Sequence, residues 1–547
     1  MNRWLHDRWE SLDSPLFGRR VPGTLVVTWI ALVVGLAACI YTTRNGSNLW
    51  YSDAQSHLTI ARRIFDSKAP GFQQLGTVWL PVPHLLLVPL VIWLPMWSTG
   101  WGACVLGMLC LAASVAALYR IAARFGMRRM ARLFVVIFFL ANPSILYTYT
   151  TALTEPVLIA TMLGAIAGIS GWMTSERKLS GGELAVFAGI PAGMSVLSRY
   201  EGWALVASGS VFVAWVSWKK WHDFSYTIRM TLSFVVIPAA CAFWWFAYNF
   251  AIYGKPFEFM FGEYSAAEQQ RQISESGLLS TKLNLGMTTW VYGWSVIEAA
   301  GIVLLVLAFF GVCTLIVTRG FDIEALLIWL TATPIGFSLL SLYLGQTAIN
   351  NDHSLPPGWW NNRFALSAIP FLALLAGVLI NYVRLSDKAR RLPVVRYAVV
   401  FFVTSAIALQ NIWWFQDLAG RSGVIAEAVQ SNKSTRESVA AGKFMAENYQ
   451  GGNILMDETR GGNSILPEIG IPLNQYYNRA TGELLDEALD RPTDHAEWLF
   501  VNTEMPQSET APTDLVFQAM RLHPDRFENY RLVYQTPTHS VYRLVRQ

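Results

Sequence analysis

The 547-residue chain is 53% hydrophobic and only 14% charged, against about 25% charged residues in soluble globular proteins. With a mean hydropathy of +0.35, this excludes a disordered chain, a disulfide-knit secreted domain and an ordinary cytosolic enzyme, and leaves a multi-spanning membrane protein. Residues 416–547 carry 18 acidic and 12 basic side chains, net −6, whereas the rest carries 29 basic and 19 acidic, net +10. No basic run reads as a nucleic-acid arm, so no nucleic-acid partner is expected.

A helix crossing a core of roughly 30 Å needs about 20 apolar residues. Such runs lie near 22–42, 101–123, 131–150, 156–173, 182–198, 202–218, 230–251, 293–318, 323–345, 364–383 and 397–415. The first is too long for the apolar part of a cleaved signal, and no small-residue cleavage site follows it. Cys39, Cys104, Cys110, Cys241 and Cys313 all lie inside apolar runs. Neither a disulfide framework nor a zinc spacing is therefore expected.

The run 81–97 is apolar enough to be a further span, but Pro81, Pro83, Pro89 and Pro95 each remove a backbone donor. Orientation decides it, because Lys and Arg near span ends favour the cytoplasmic side. The basic clusters are Arg3/Arg8/Arg19/Arg20, Arg124/Arg128/Arg129/Arg132, Arg177/Lys178, Lys219/Lys220/Arg229, Arg319 and Arg384/Lys388/Arg390/Arg391/Arg396. All fall on one side if 81–97 does not cross. The expectation is eleven spans with 81–97 interfacial or re-entrant, the N-terminus cytoplasmic and the C-terminus outside. The loops 43–100, 252–292 and 346–363, the turns at 151–156 and 199–202, and residues 416–547 then share one outer face.

In the first outer loop, Ala54, His57/Leu58, Ala61 and Ile64/Phe65 recur with a helical period, opposite Gln55, Thr59, Arg62, Arg63 and Asp66. This predicts an amphipathic helix over 53–67 lying in the interface, with a capping box at Ser52-Asp53-Ala54-Gln55 and an end at Pro70-Gly71. Asp53 reads plainly as a first-turn carboxylate complementing the helix dipole. It reads functionally as a general base or metal ligand beside His57, one turn on. Glu155, between Thr154 and Pro156, is either helix-start chemistry or a working acid at a depth where carboxylates are expensive. In Arg199-Tyr200-Glu201 a guanidinium stands at an outer span end, against the charge rule. It is a local ion pair in an aromatic belt or a phosphate-gripping Arg oriented by Glu201. The loop 346–363 gathers Asp352, His353, Trp359, Trp360 and Arg363. The tryptophans read as interface anchors and His353 as a solvated loop residue. Arg363 is the strongest functional candidate there. The loop 252–292, with Glu258, Glu263, Glu268, Arg271 and Glu275, reads as polar cover over a site.

Residues 416–547 have soluble composition. Strand-like runs at Ile454–Met456, Trp498–Val501, Tyr530–Tyr534 and Val541–Val545 alternate with helical runs near 435–449, 482–490 and 514–522. This predicts a small α/β domain. Gly461-Gly462 after Asp457-Glu458 is a turn and not a phosphate loop. The expected role is structural or acceptor-recognising.

Taken in order, Tyr51-Ser52-Asp53-Ala54-Gln55-Ser56-His57-Leu58, Gly76-Thr77-Val78-Trp79-Leu80-Pro81-Val82-Pro83-His84, Leu153-Thr154-Glu155-Pro156, Ser198-Arg199-Tyr200-Glu201-Gly202-Trp203 and Asn362-Arg363-Phe364 with Pro370 resemble the GT-C-fold glycosyltransferases. These use polyprenyl-phosphate-linked sugars and include aminoarabinose transferases and protein O-mannosyltransferases. The resemblance covers roughly residues 20–415. It implies a membrane all-α bundle with juxtamembrane helices, here followed by the C-terminal soluble α/β domain. It also implies a polyprenyl-phosphate sugar donor held among membrane lipids, and a glycan, lipid or protein acceptor. Asp53 and Glu155 are the implied catalytic pair; His57, Trp79, His84, Arg199, Tyr200, Glu201 and Arg363 are the implied substrate-binding residues. Many relatives carry a second acid directly after the loop aspartate, where this chain has Ala54, and His57 replaces a common aromatic residue. No cofactor is required by the sequence, and a divalent metal is left open. The rival readings are a transporter or lipid flippase, and a non-catalytic scaffold of the envelope. The cysteine-free exported region and the lack of an organelle signal point to a bacterial inner membrane.

Overall fold

A computed structural model describes residues 21–262, 265–275, 277, 279–385, 393–457, 464–504 and 513–545. The basic residues Arg3, Arg8, Arg19, Arg20, Lys388, Arg390 and Arg391, together with Glu263, Glu458 and the Gly461-Gly462 turn, lie outside them. Among the described residues, seven helices are long and apolar enough to cross a membrane: Thr24–Arg44, Trp101–Arg124, Glu155–Thr174, Phe224–Tyr253, Ile302–Arg319, Asn362–Val383 and Tyr397–Gln416. The pair Ile323–Leu330 and Thr333–Tyr343, bent by 48°, makes an eighth if counted as one span.

The other apolar runs are helical too, with local reasons for falling short. Residues 131–150 split into Arg129–Leu140 and Pro143–Thr148, because the Asn142 side chain caps a new helix start at Ile145 N. Glu201–Trp221 is 21 residues long, but Glu201, Gly202, Ser208, Gly209, Ser210 and Ser217 make it less apolar. The run 293–318 is divided at Gly301, which sits at φ 79° between Leu285–Ala300 and Ile302–Arg319. By length and composition alone, the described residues therefore give seven or eight crossings, and the other runs expected to span are shorter, interrupted or less apolar helices.

The prolines break 81–97 as anticipated. It folds as Val82–Leu87, a 3-10 turn at Val88–Leu90, and Leu94–Ser98. A six-residue helix spans only about 9 Å, so none of these pieces can bridge a bilayer.

Glu155–Thr174 is the central helix. Its apolar window is 89% buried, whereas Thr24–Arg44, Phe224–Tyr253, Ile302–Arg319 and Tyr397–Gln416 are 28% or less. Close approach makes this possible. A Cβ on Gly168 would overlap the Phe187 carbonyl, and one on Gly171 would meet the Arg124 guanidinium. Glu155 therefore stands at one end of the bundle's most enclosed helix.

The C-terminal residues build a five-stranded sheet from β1 (Ile454–Met456), β2 (Tyr476–Tyr477), β3 (Trp498–Asn502), β4 (Tyr530–Gln535) and β5 (His539–Leu544). The order is β2-β1-β3-β5-β4. β1 pairs in parallel with β2 and β3, and β5 runs antiparallel to β3 and β4. Helices Arg436–Asn448, Glu483–Asp490 and Leu515–Leu522 fall where the sequence placed them.

One local expectation is corrected. The first-loop helix runs Ser52–Arg63, but Tyr51 is its N-cap and no side chain caps it, so the capping box does not form. Its polar face is also buried instead of lying at an interface. Gln55 donates to Leu49 O and to Glu468 Oε1 at 2.8 Å. Arg62 binds Asp66 at 2.6 Å, and Asp66 in turn accepts the backbone N–H groups of Leu473 and Asn474. The C-terminal residues cover this face and supply its partners.

Candidate active site

Three carboxylates enter one place from the starts of three helices. Asp53 is the second residue of Ser52–Arg63, Glu155 the first of Glu155–Thr174 and Glu201 the first of Glu201–Trp221. Each complements the positive end of a helix dipole, which reconciles the structural and functional readings of these acids.

Arg363 is the hub. It opens the 3-10 turn Asn362–Ala368 leading into a span. Its guanidinium donates from Nη2 to Asp53 Oδ2 at 2.5 Å, from Nε to Glu155 Oε1 at 3.1 Å and from Nη1 to Glu427 Oε1 at 3.3 Å. Such a planar fork holds five donors in fixed directions, so it can serve three acids at set angles, where a lysine offers only a compact point charge. Arg199 extends the cluster, donating to Glu155 Oε1 at 2.9 Å, to Thr154 Oγ1 at 3.2 Å and to Glu201 Oε1 at 3.1 Å. Its guanidinium also lies 4.3 Å from the Phe364 ring centroid. Exposure separates the members. The side chains of Glu155, Glu201, Glu427 and Arg363 are 3–7% exposed, Arg199 is 16% and Asp53 is 33%. Asp53 is thus the acid most open to an incoming molecule, while Glu155 Oε2 is buried with no hydrogen-bond partner.

Beside the cluster, His57 Nδ1 lies 2.8 Å from His84 Nε2, and the His57 ring packs 4.4 Å from Trp79. Burial, and then the charges of Arg363 and Arg199, pull His57 down to about 3. Burial, and then His57, pulls His84 well below the usual range. Both rings are therefore neutral near pH 7 and form a relay or a spacer, not a cationic pair. A histidine depressed in the fold from an unfolded value of about 6.5 contributes stability that is complete above pH 6.5 and is lost as pH falls toward 3. The expected cost is about 1.4 kcal/mol per pH unit for His57. Melting curves between pH 7 and 4 should slope downward for the wild type and less steeply for His57→Gln. Parallel slopes would contradict this reading.

Of the nine residues singled out from the sequence, Asp53, Glu155, Arg199, Glu201 and Arg363 meet in the ion-pair cluster, and His57, Trp79 and His84 form the adjoining layer. Tyr200 turns elsewhere and stacks on Phe259 at 6.0 Å in an aromatic group with Trp203 and Phe246. His353, expected to be solvated, stacks on Trp294 at 3.9 Å. Arg271 pairs with Glu268 and Glu275 on its own helix and not with the cluster. Glu427 was not a sequence candidate. Its signal was a lone acid inside the apolar run Val424-Ile425-Ala426-Glu427-Ala428-Val429. Among the described residues, no group of three or more His, Cys, Asp or Glu side chains is arranged to hold a metal ion. The site acids instead face guanidinium groups.

The long apolar helices mark an integral membrane protein, and its likeness to solved structures shows the GT-C fold. Its likeness is to the crystal structure of ArnT from Cupriavidus metallidurans bound to undecaprenyl phosphate, at a TM-score of 0.53 and 15% identity, over 95% of this chain and 97% of that one. The same protein in the apo state matches at a TM-score of 0.53 and 12% identity, over 94% and 97%. No protein-family model and no curated protein matches the chain.

Proposed function

We propose that this chain is a glycosyltransferase that moves a sugar from a polyprenyl-phosphate donor to an acceptor hydroxyl or amine at the extracytoplasmic membrane surface. The observation that carries the reading is the convergence of Asp53 and Glu155 on the Arg363 guanidinium, at 2.5 and 3.1 Å, from positions 310 and 208 residues apart in the chain. Arg363 and Arg199 each have five N–H donors, more than their carboxylates use, and can take up charge on a leaving phosphate. Asp53, the most exposed acid of the cluster, takes the proton of the acceptor. The acceptor atom attacks the anomeric carbon, the bond from that carbon to the phosphate oxygen breaks, and polyprenyl phosphate leaves with the electron pair. Attack from the face opposite the phosphate inverts that carbon. Glu155 orients the arginines and, through its free oxygen, the acceptor.

The eleven-span topology with an outside C-terminus belongs to this reading, and so does the extracytoplasmic α/β domain at 416–547. A transporter would carry its charges at broken helices near the midplane; these acids sit in the first turns of helices. The test is release of undecaprenyl phosphate by the purified chain, given undecaprenyl-phosphate-linked aminoarabinose or mannose and an envelope fraction as acceptor. Release together with labelled acceptor is expected. A folded protein that consumes neither donor would count against the proposal.

A further inference from the structure

Helix Gly423–Ser434 reaches back from the C-terminal residues and touches both halves of the site. It is fixed at its start, where Ser422 Oγ lies 2.8 Å from Ser144 Oγ, and Val424 and Ala428 are fully buried. Glu427 and Ser431 lie one turn apart on one face. Glu427 Oε1 accepts from Arg363 Nη1 at 3.3 Å and from Asn361 N at 2.9 Å, and Oε2 accepts from Asn362 N at 2.9 Å. One carboxylate thus holds the tip of Arg363 and the two backbone groups before it, where Asn361 turns at φ 59°. Ser431 Oγ accepts the backbone N–H of Ser52 at 2.9 Å. The helix bearing Asp53 has no side-chain cap of its own, so Ser431 satisfies one of its orphan donors from 379 residues away.

We infer that Glu427 and Ser431 are positioning residues that set Arg363 and Asp53 against each other from a single helix face, an inference that rests on the roles proposed above for those two groups. A single helix carrying both contacts makes the relative placement of the pair depend on this helix rather than on the two separate loops that bear them. The C-terminal residues are then a working part of the site and not an appended module.

The test uses the full chain in detergent or nanodiscs, at a temperature where every variant is folded. Glu427→Gln should lower kcat by about 10²-fold through misplacement of Arg363. Ser431→Ala should lower it by about tenfold, the worth of one hydrogen bond. Donor KM should not change in either, and Ser431→Thr should restore the rate. In an Asp53→Asn background the Ser431→Ala loss should vanish, because the group it places is gone, whereas Glu427→Gln should still slow the residual turnover through Arg363. Wild-type kcat in Glu427→Gln and Ser431→Ala, or an undiminished Ser431→Ala loss in the Asp53→Asn background, overturns the inference. If the wild type transfers no sugar, the proposed function fails, and placement is read without turnover. Carbodiimide labelling of Asp53, followed by mass spectrometry, should then run about tenfold faster in Ser431→Ala and Glu427→Gln. An unchanged labelling rate overturns the inference on its own.

Discussion

Asp53→Asn should leave a folded, inserted protein whose sugar transfer is reduced by about 10²–10⁴-fold, the usual worth of a general base. The separation of activity from stability follows from exposure. The Asp53 side chain is 33% exposed, and its loss leaves Arg363 with Glu155 and Glu427. Asparagine keeps an oxygen that accepts from Arg363 Nη2, so the fold loses only a partly solvated ion pair, worth about 0–1 kcal/mol. Undecaprenyl phosphate release and a melting curve on the same preparation read the two effects separately. Near-normal transfer would remove Asp53 from the mechanism.

Replacing Arg363 should have the opposite balance, with the largest structural cost of any single change in the cluster. Arg363→Met strands Glu155 and Glu427, whose side chains are 3% and 7% exposed. Breaking a buried pair by removing one partner costs about 3–5 kcal/mol. Arg199 still holds Glu155 at 2.9 Å, so Glu427 is the acid left most isolated. Adding Glu427→Gln to Arg363→Met should therefore recover part of the loss, whereas adding Asp53→Asn should recover little. Unfolding in denaturant measures both. Wild-type stability in Arg363→Met would mean that the guanidinium is not the hub.

How much of this was legible beforehand depends on the range of the interaction. Pro81, Pro83, Pro89 and Pro95 act on their own backbone, so the broken path of 81–97 followed directly. Four of the five strands of the C-terminal sheet were readable from short apolar runs for the same reason, whereas the two-residue strand Tyr476–Tyr477 was not. The first-loop helix was readable as a helix, but its surroundings were not. Gln55, Thr59 and Arg62 look like a solvated face in one dimension, yet they are buried because residues near Glu468 and Leu473 fold over them. The capping box failed on the same ground, since the helix starts after Tyr51 and the Ser52 N–H that the box would have used goes to Ser431 Oγ.

Local chemistry therefore determined the class of the molecule: apolar runs that demand a bilayer, polar residues confined to the ends of those runs, and Asp53, Glu155, Arg199, Glu201 and Arg363 as charges too costly to bury unpaired. Tertiary structure decided which charge meets which. It gave Arg363 three acids, withdrew Tyr200 into an aromatic stack, and brought in Glu427 from a segment that reads as a separate domain. The reason is that an ion pair depends on separation in space, whereas sequence periodicity reports only neighbours within a turn or two.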